Sequence, residues 1–267
     1  MTVAIIGAGV MGETLLSGLI RGGFPADDLV VGEKRPERAV ELREKYAVSV
    51  SEKLTDVVHA DTVALVVKPQ DMGDVLTEIG PSITPGQLVV SLAAGITTDY
   101  IERRLAEGVA VVRVMPNTPA LVDEGMAAIS AGTHCDEEHL VRAERMLAAT
   151  GRVIRVPEKQ QDAVTAISGS GPAYLFFVVE AMIEAGVHLG LPRSTSTELV
   201  VQTVVGSAKL LRETGDHPTV LRERVTSPGG TTAAAIRQLE DHKVRAAFIT
   251  AMEAARDRSS ALAATDD

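Results

Sequence analysis

The feature that most narrows the possible folds is an abrupt junction near the start of the chain, where the β-branched run Val3-Ala4-Ile5-Ile6 passes directly into Gly7-Ala8-Gly9-Val10-Met11-Gly12. An amphipathic stretch then follows, with Leu15, Leu19 and Ile20 at helical spacing. Few backbone paths satisfy that order. Gly7 permits a tight turn, Gly9 lets the backbone approach a bulky anion, and Gly12 allows a helix to lie close on a strand. Amide groups at the start of the helix, including those of Val10 and Met11, have no intrahelical acceptor and point at the same anion. The pattern predicts a strand, turn and helix that bind the pyrophosphate of a dinucleotide.

The next part of the chain repeats the strand-then-helix rhythm. Apolar runs at 29–31, 62–67, Leu88–Ser91 and 109–114 read as buried strands, and Pro36–Tyr46 and 97–105 as helices with start signals at Pro36 and Thr97. Such alternation predicts a parallel sheet. Two more strands, 126–130 and 153–156, flank a helix at 136–149 and extend it. From Gln160 onward the strand signals stop and long helical patterns take over. The expected architecture is an α/β dinucleotide-binding (Rossmann-type) domain over 1–158, followed by an all-α domain over 159–267, with fraying from about Ser260.

The 267 residues suffice for two ordinary domains, and 26 basic against 36 acidic side chains give a net charge of −10. An acidic surface disfavours nucleic acid and anionic membranes, so no such partner is expected and an anionic ligand must be held by local donors. The lone cysteine, Cys135, can form no internal disulfide, and the apolar start lacks a basic leader, so a cytoplasmic location is expected. The apolar stretch 173–179 is interrupted afterwards by Glu180, Glu184 and His188, short of the roughly 20 residues a membrane span needs, and no span is expected.

The choice of dinucleotide turns on the end of the second strand. Glu33 lies about 20 residues past Gly12, where an acid that binds the ribose of NAD is found. Lys34 and Arg35 follow it at once and suit the extra phosphate of NADP. These signals oppose each other, and the cationic pair favours NADPH, with NADH as the other choice. His134, Cys135, Asp136, Glu137, Glu138 and His139 crowd together, but they sit across a helix start, where the acids serve as caps, and no metal site is expected.

Three other segments carry residues unusual for plain loops. Val67-Lys68-Pro69 ends a strand, where side chains face the ligand crevice, and Lys68 there can reach a ribose or phosphate. Met115-Pro116-Asn117-Thr118-Pro119 holds Asn117 in a proline-restricted loop. Ser227-Pro228-Gly229-Gly230-Thr231-Thr232 opens a helix with free amides and hydroxyls, a seat for a small carboxylate.

These segments, with Ser168-Gly169-Ser170-Gly171-Pro172-Ala173-Tyr174, occur in an order that resembles the pyrroline-5-carboxylate reductase family over essentially the whole chain. The front half alone is shared with other reductases, including deazaflavin-dependent ones; the helical-half motifs distinguish the family. The resemblance implies hydride transfer from NADPH to the imine carbon of 1-pyrroline-5-carboxylate, giving L-proline in the last step of proline biosynthesis. It implies Gly229, Gly230, Thr231 and Asn117 at the substrate, with Thr232 and Ser227 as the catalytic hydroxyls, Thr232 near the ring nitrogen. It also implies Lys68 and Asn117 at the cofactor, with Ala94 and Gly95 lining the nicotinamide pocket. The partners it implies are a small-molecule substrate and further copies of the chain, with a dimer as the minimum and a decamer as a larger form. The competing expectations are a reductase of a related cyclic imine and a non-catalytic NADP-binding regulator.

Overall fold

The computed structural model describes residues 1–263. Its first part is an eight-stranded sheet in the order β3-β2-β1-β4-β5-β6-β7-β8. The strands are β1 (Val3–Ile6), β2 (Leu29–Gly32), β3 (Ser49–Ser51), β4 (Thr62–Leu65), β5 (Leu88–Ser91), β6 (Ala110–Met115), β7 (Gly125–Ala131) and β8 (Gly151–Arg155). Around it lie α1 (Val10–Arg21), α2 (Pro36–Tyr46), α3 (Met72–Ile79), α4 (Thr98–Glu102) and α5 (Glu137–Leu147).

The strands read as continuous apolar runs because both faces of the sheet are covered. Along β1, Val3 and Ile5 enter one apolar cluster with Leu15, Leu16 and Leu19 of α1 and Met146 of α5. Ala4 and Ile6 enter another on the opposite face, with Met72, Leu76 and Ile79 of α3. Alternating residues of one strand thus serve two cores.

The sheet differs from the all-parallel expectation at one joint. β6 and β7 pair antiparallel, Val114 opposite Ile129, whereas β7 and β8 are parallel across α5. Only the short segment after Met115 links β6 to β7, and a parallel return needs a crossover of a dozen or more residues. Other departures are smaller. The 97–105 helix shortens to α4, the edge strand β3 and the helix α3 had no clear signal, and β4 stops at Leu65, before Lys68.

The later helices are α6 (Gln161–Val164), α7 (Gly171–His188), α8 (Arg193–Thr214), α9 (Pro218–Arg224), α10 (Thr231–Asp241) and α11 (Val244–Ala263), with a π-helical turn at Thr165–Gly169. By contact pattern the chain forms two compact units, Met1–Ser170 with the segment from Ala255, and Gly171–Ala254. The expected fraying from Ser260 is not seen, because the hydroxyls of Ser259 and Ser260 each donate to the Asp162 carboxylate at 2.7 Å and hold the end of α11. The rest of that expectation, 264–267, lies outside the described residues.

The start of the helical tail is tied to the sheet by polar groups. Glu158 accepts from the Thr98 amide at 2.8 Å and the Thr98 hydroxyl at 2.7 Å, and pairs with the buried Arg113 of β6 at 3.3 Å. Gln161, fully buried, donates to the Ser130 hydroxyl at 2.8 Å. Contrary to the expectation drawn from 173–179, the helical run Glu158–His188 is by length and composition apolar enough to cross a membrane. Only 6 % of its apolar window is buried in the single chain, leaving Leu175, Phe176 and Phe177 exposed on α7.

Ile5, with no exposed surface at the centre of β1, measures how far the sheet depends on its core. Ile5→Ala should lower the unfolding free energy by roughly 2–5 kcal/mol, read from urea denaturation midpoints at unchanged m-value.

Candidate active site

The chain order reverses between β1 and β4, and the loops leaving these strands meet at their carboxyl ends, where open α/β sheets bind ligands. Gly7 has φ +91°, and a side-chain carbon on it would lie 2.7 Å from the Val66 carbonyl oxygen. Any residue but glycine would push the two loops apart. A Cβ on Gly12 would overlap the Gly7 carbonyl oxygen, so the third glycine is set by close packing.

Gly9 is different. No protein atom lies within 4 Å of a Cβ built there, so packing does not require glycine. What lies in front of it is open space at the start of α1, which has no side-chain cap, with Val10 exposed and Met11 half-buried beside it. Space and free amides are what a pyrophosphate needs, and the residues present fit a dinucleotide.

Beside this turn runs a cleft of about 320 Å³, lined by Gly7, Gly32, Glu33, Lys34, Val67 and Asp71 among others. Of the acid and two cations flagged in the sequence, Glu33 and Lys34 therefore line the same cleft as the first glycine of the loop. Glu33 is buried, and its carboxylate is fully engaged. It accepts from the Ala8 amide at 3.2 Å and from the Arg35 amide at 3.0 Å, and a fork from the Arg35 guanidinium reaches it at 2.9 and 3.0 Å. Burial works against its ionisation, but the Arg35 side chain and the two backbone amides outweigh it and hold the carboxyl below its ordinary range. Lys34 pairs with Glu78 at 2.7 Å. Lys68 is exposed ahead of the turn begun by Pro69, Ala94 is exposed, and Gly95 has φ +81° in the loop after β5.

One supporting residue had no sequence signal. Arg38 of α2 donates from Nε to the Ala8 carbonyl at 3.2 Å and also bonds the Glu13 carboxylate. Nothing local marks it, since its acceptor lies one strand away in the fold. Glu13 also accepts from Lys45 at 2.8 Å and Tyr46 at 2.7 Å. Burial would raise its pKa, but hydrogen bonds from Lys45, Tyr46 and Arg38 lower it to about 2.

Asn117 spends its carboxamide on the backbone. Its oxygen accepts from the Met126 amide at 2.8 Å, and its nitrogen donates to the Ser168 carbonyl at 3.1 Å. It thereby joins the start of β7 to the π-helical turn, where a Cβ on Gly169 would overlap the Met115 methyl. The Ser168-Gly169 part of the distinctive motif is thus a close-packed turn, and the amide has one N–H left for a ligand. The histidine and acid cluster does local work: Asp136 and His139 form a reciprocal cap on α5.

In the second unit, Ser227–Thr232 forms the expected helix start. Gly229 has φ +68°, the Gly230 amide donates to the Ser227 carbonyl at 3.0 Å, and α10 begins at Thr231 with no side-chain cap. A Cβ on Gly230 would overlap the Ser227 hydroxyl. Ser227, Gly229 and Thr231 are exposed and Thr232 is half-buried. The loop presents free amides flanked by hydroxyls, a seat for a small anion.

Comparison with known proteins decides the family. Residues 158–262 match the model for pyrroline-5-carboxylate reductase dimerisation, and residues 2–95 match that for NADP oxidoreductase, coenzyme F420-dependent. A pyrroline-5-carboxylate reductase of Corynebacterium melassecola is 45% identical over 265 residues, 98% of each chain. The chain belongs to the pyrroline-5-carboxylate reductase family. Among solved structures, a family member from Coxiella burnetii superposes with a TM-score of 0.94 at 38% identity, covering 98% of both chains. The pyrroline carboxylate reductase of Plasmodium falciparum, solved with NADP bound, gives 0.88 at 28% identity, again with 98% of both covered. The family's shared reductase-like front half explains why the first motif alone named a fold, and the dimerisation match falls on the helices whose apolar side chains are exposed.

Two outcomes follow from this geometry. Gly9→Ala should cost about 1 kcal/mol or less of stability, since the added methyl meets no protein atom and only cap preference changes, yet weaken cofactor binding more than tenfold in a fluorescence titration with NADPH. Glu13, ionised more readily folded than unfolded, stabilises the fold fully above its ordinary pKa, and that contribution is lost as pH falls toward about 2. Between pH 4.5 and 2 the melting temperature of Glu13→Gln should therefore fall less steeply than that of the unsubstituted protein.

Proposed function

We propose that the protein is a pyrroline-5-carboxylate reductase that reduces 1-pyrroline-5-carboxylate to L-proline, the last step of proline biosynthesis, using NADPH. The observation that carries the reading is the pairing of an intact glycine loop, with open space at Gly9, and an intact uncapped helix start at Ser227–Thr232 in one chain of this family. A regulator that bound only the dinucleotide would have no use for the second.

The bound cofactor supplies a hydride; the chain supplies position and charge. Backbone amides of Gly229 and Thr231 hold the substrate carboxylate, with Gly230 closing the turn through its amide bond to the Ser227 carbonyl, which is how a protein of net charge −10 retains an anion. The Thr232 hydroxyl hydrogen-bonds the ring nitrogen, with Ser227 bracing the loop. A cyclic imine takes up a proton readily and then accepts hydride at carbon far better, so orientation and electrostatics suffice without a strong nucleophile. On the cofactor side, Gly7, Gly9, Val10, Met11 and Gly12 hold the pyrophosphate. Arg35 and Lys34 face the 2′-phosphate, Val67, Lys68 and Pro69 border the ribose, and Ala94 and Gly95 line the nicotinamide. Asn117 acts mainly by fixing the turn at Ser168.

The same reading takes 159–267 as the substrate-binding and dimerisation domain, in keeping with the family match that begins at 158. The exposed Leu175, Phe176 and Phe177 of α7 support a homodimer, and a decamer is the larger assembly it implies. The single Cys135 accords with a cytoplasmic enzyme, and the net charge of −10 disfavours nucleic acid and anionic membranes as partners.

Purified protein supplied with NADPH and the imino acid should oxidise the cofactor and form proline, more efficiently than with NADH. Cofactor binding without turnover would favour the regulator. Thr232→Ala should lower kcat about tenfold or more while NADPH affinity stays within about twofold, and Thr232→Ser should restore most of the rate. An unchanged kcat would remove Thr232 from the reaction.

A further inference from the structure

Resting on the cofactor site just proposed, we infer that Glu33 is a positioning residue that fixes the glycine loop through the Ala8 peptide group, and is not the ligand of the cofactor ribose. Its place in the sequence is that of a ribose acceptor, which needs lone pairs turned into the cleft. In the structure the carboxylate is buried and takes four hydrogen bonds, from the Ala8 amide, the Arg35 amide and two guanidinium nitrogens. A carboxylate offers about four acceptor sites, so all are in use.

What those bonds hold is specific. Ala8 is the residue between the first two glycines, and both sides of it are gripped by charged side chains: Glu33 accepts from its N–H, and Arg38 donates to its carbonyl. Gly7 and Gly9, its neighbours, have the widest choice of backbone conformation, so an unbraced Ala8 would leave the loop free to turn its amides away from the anion. Two opposite charges on one residue remove that freedom before the cofactor arrives, which lowers the ordering cost of binding. Arg35 completes the shell around Glu33, its guanidinium holding the carboxylate in a fork while its side chain stays largely exposed.

The two roles for Glu33 differ in what its removal does to NADPH and NADH. A positioning residue serves the pyrophosphate loop, which both cofactors use. A ribose ligand serves only the cofactor with a free 2′-hydroxyl. The dissociation constants of both, measured by the rise in their own fluorescence on binding, separate these cases without requiring turnover. Glu33→Ala is expected to weaken both by about tenfold, the loss of one charge-assisted bond to the loop, and leave their ratio within about twofold. Glu33→Gln, whose amide oxygen still accepts from Ala8, should recover most of the affinity. Arg38→Met should reproduce the equal loss from the carbonyl side. Saturating both cofactors should return kcat to within about twofold, so that the defect lies in KM. A loss confined to NADH, or a gain for NADPH, in Glu33→Ala would overturn the inference, as would unchanged affinity for both. Failure of the unsubstituted protein to bind either cofactor would overturn the cofactor site itself, and the inference with it. Binding without reduction of the imino acid would sink only the proposed reaction and leave the role of Glu33 standing.

Discussion

The contact between Gly7 and the carbonyl of Val66 is the constraint from which the front half of the molecule follows. It lets the loops after β1 and β4 close on each other at the point where strand order reverses, and it aims α1 at the crevice they form. Gly12 repeats the device one helical turn later against the carbonyl of Gly7. Both are exclusions: each works because a methyl group would not fit. Gly9 is the exception, since what it spares room for is no part of the protein.

Charge is arranged to serve that contact. The protein is acidic overall, yet its proposed anion seats are built from backbone amides at helix starts, and its charged side chains mostly act one layer behind. Glu33 and Arg38 grip Ala8, Glu13 gathers Arg38, Lys45 and Tyr46, and Glu158 joins Thr98 to the buried Arg113. An amide dipole keeps its sign at any pH, and the carboxylates of Glu33 and Glu13, held below their ordinary range, keep theirs through the neutral region.

The helical half has a different economy. α7 has no fully buried side chain within the chain, and the family match over 158–262 names dimerisation. In the proposed homodimer the exposed phenylalanines are the packing that a second copy completes. The same proposal accounts for the span-like composition of Glu158–His188, since a helix covered by a second subunit is removed from water much as in lipid.

How much was legible follows from the range of the forces involved. Glycine spacing, the alternation of strands and helices, the caps at Pro36 and Asp136 and the motif order that marks the family are all local or linear, so the chain alone determined the doubly covered sheet, the helical tail and the segments that bear the chemistry. The tertiary structure decided what depends on residues distant in sequence. It turned β7 antiparallel because the link after β6 is short, occupied both ends of Asn117 with backbone, held the last turns of α11 on Asp162, and placed Arg38 on Ala8. For Glu33 the sequence could state only that an acid and two cations stand together after a strand. Which of them faces the ligand depends on hydrogen-bond partners brought up by other elements, and a side chain's partners are set by folding, through distances that no spacing along the chain encodes.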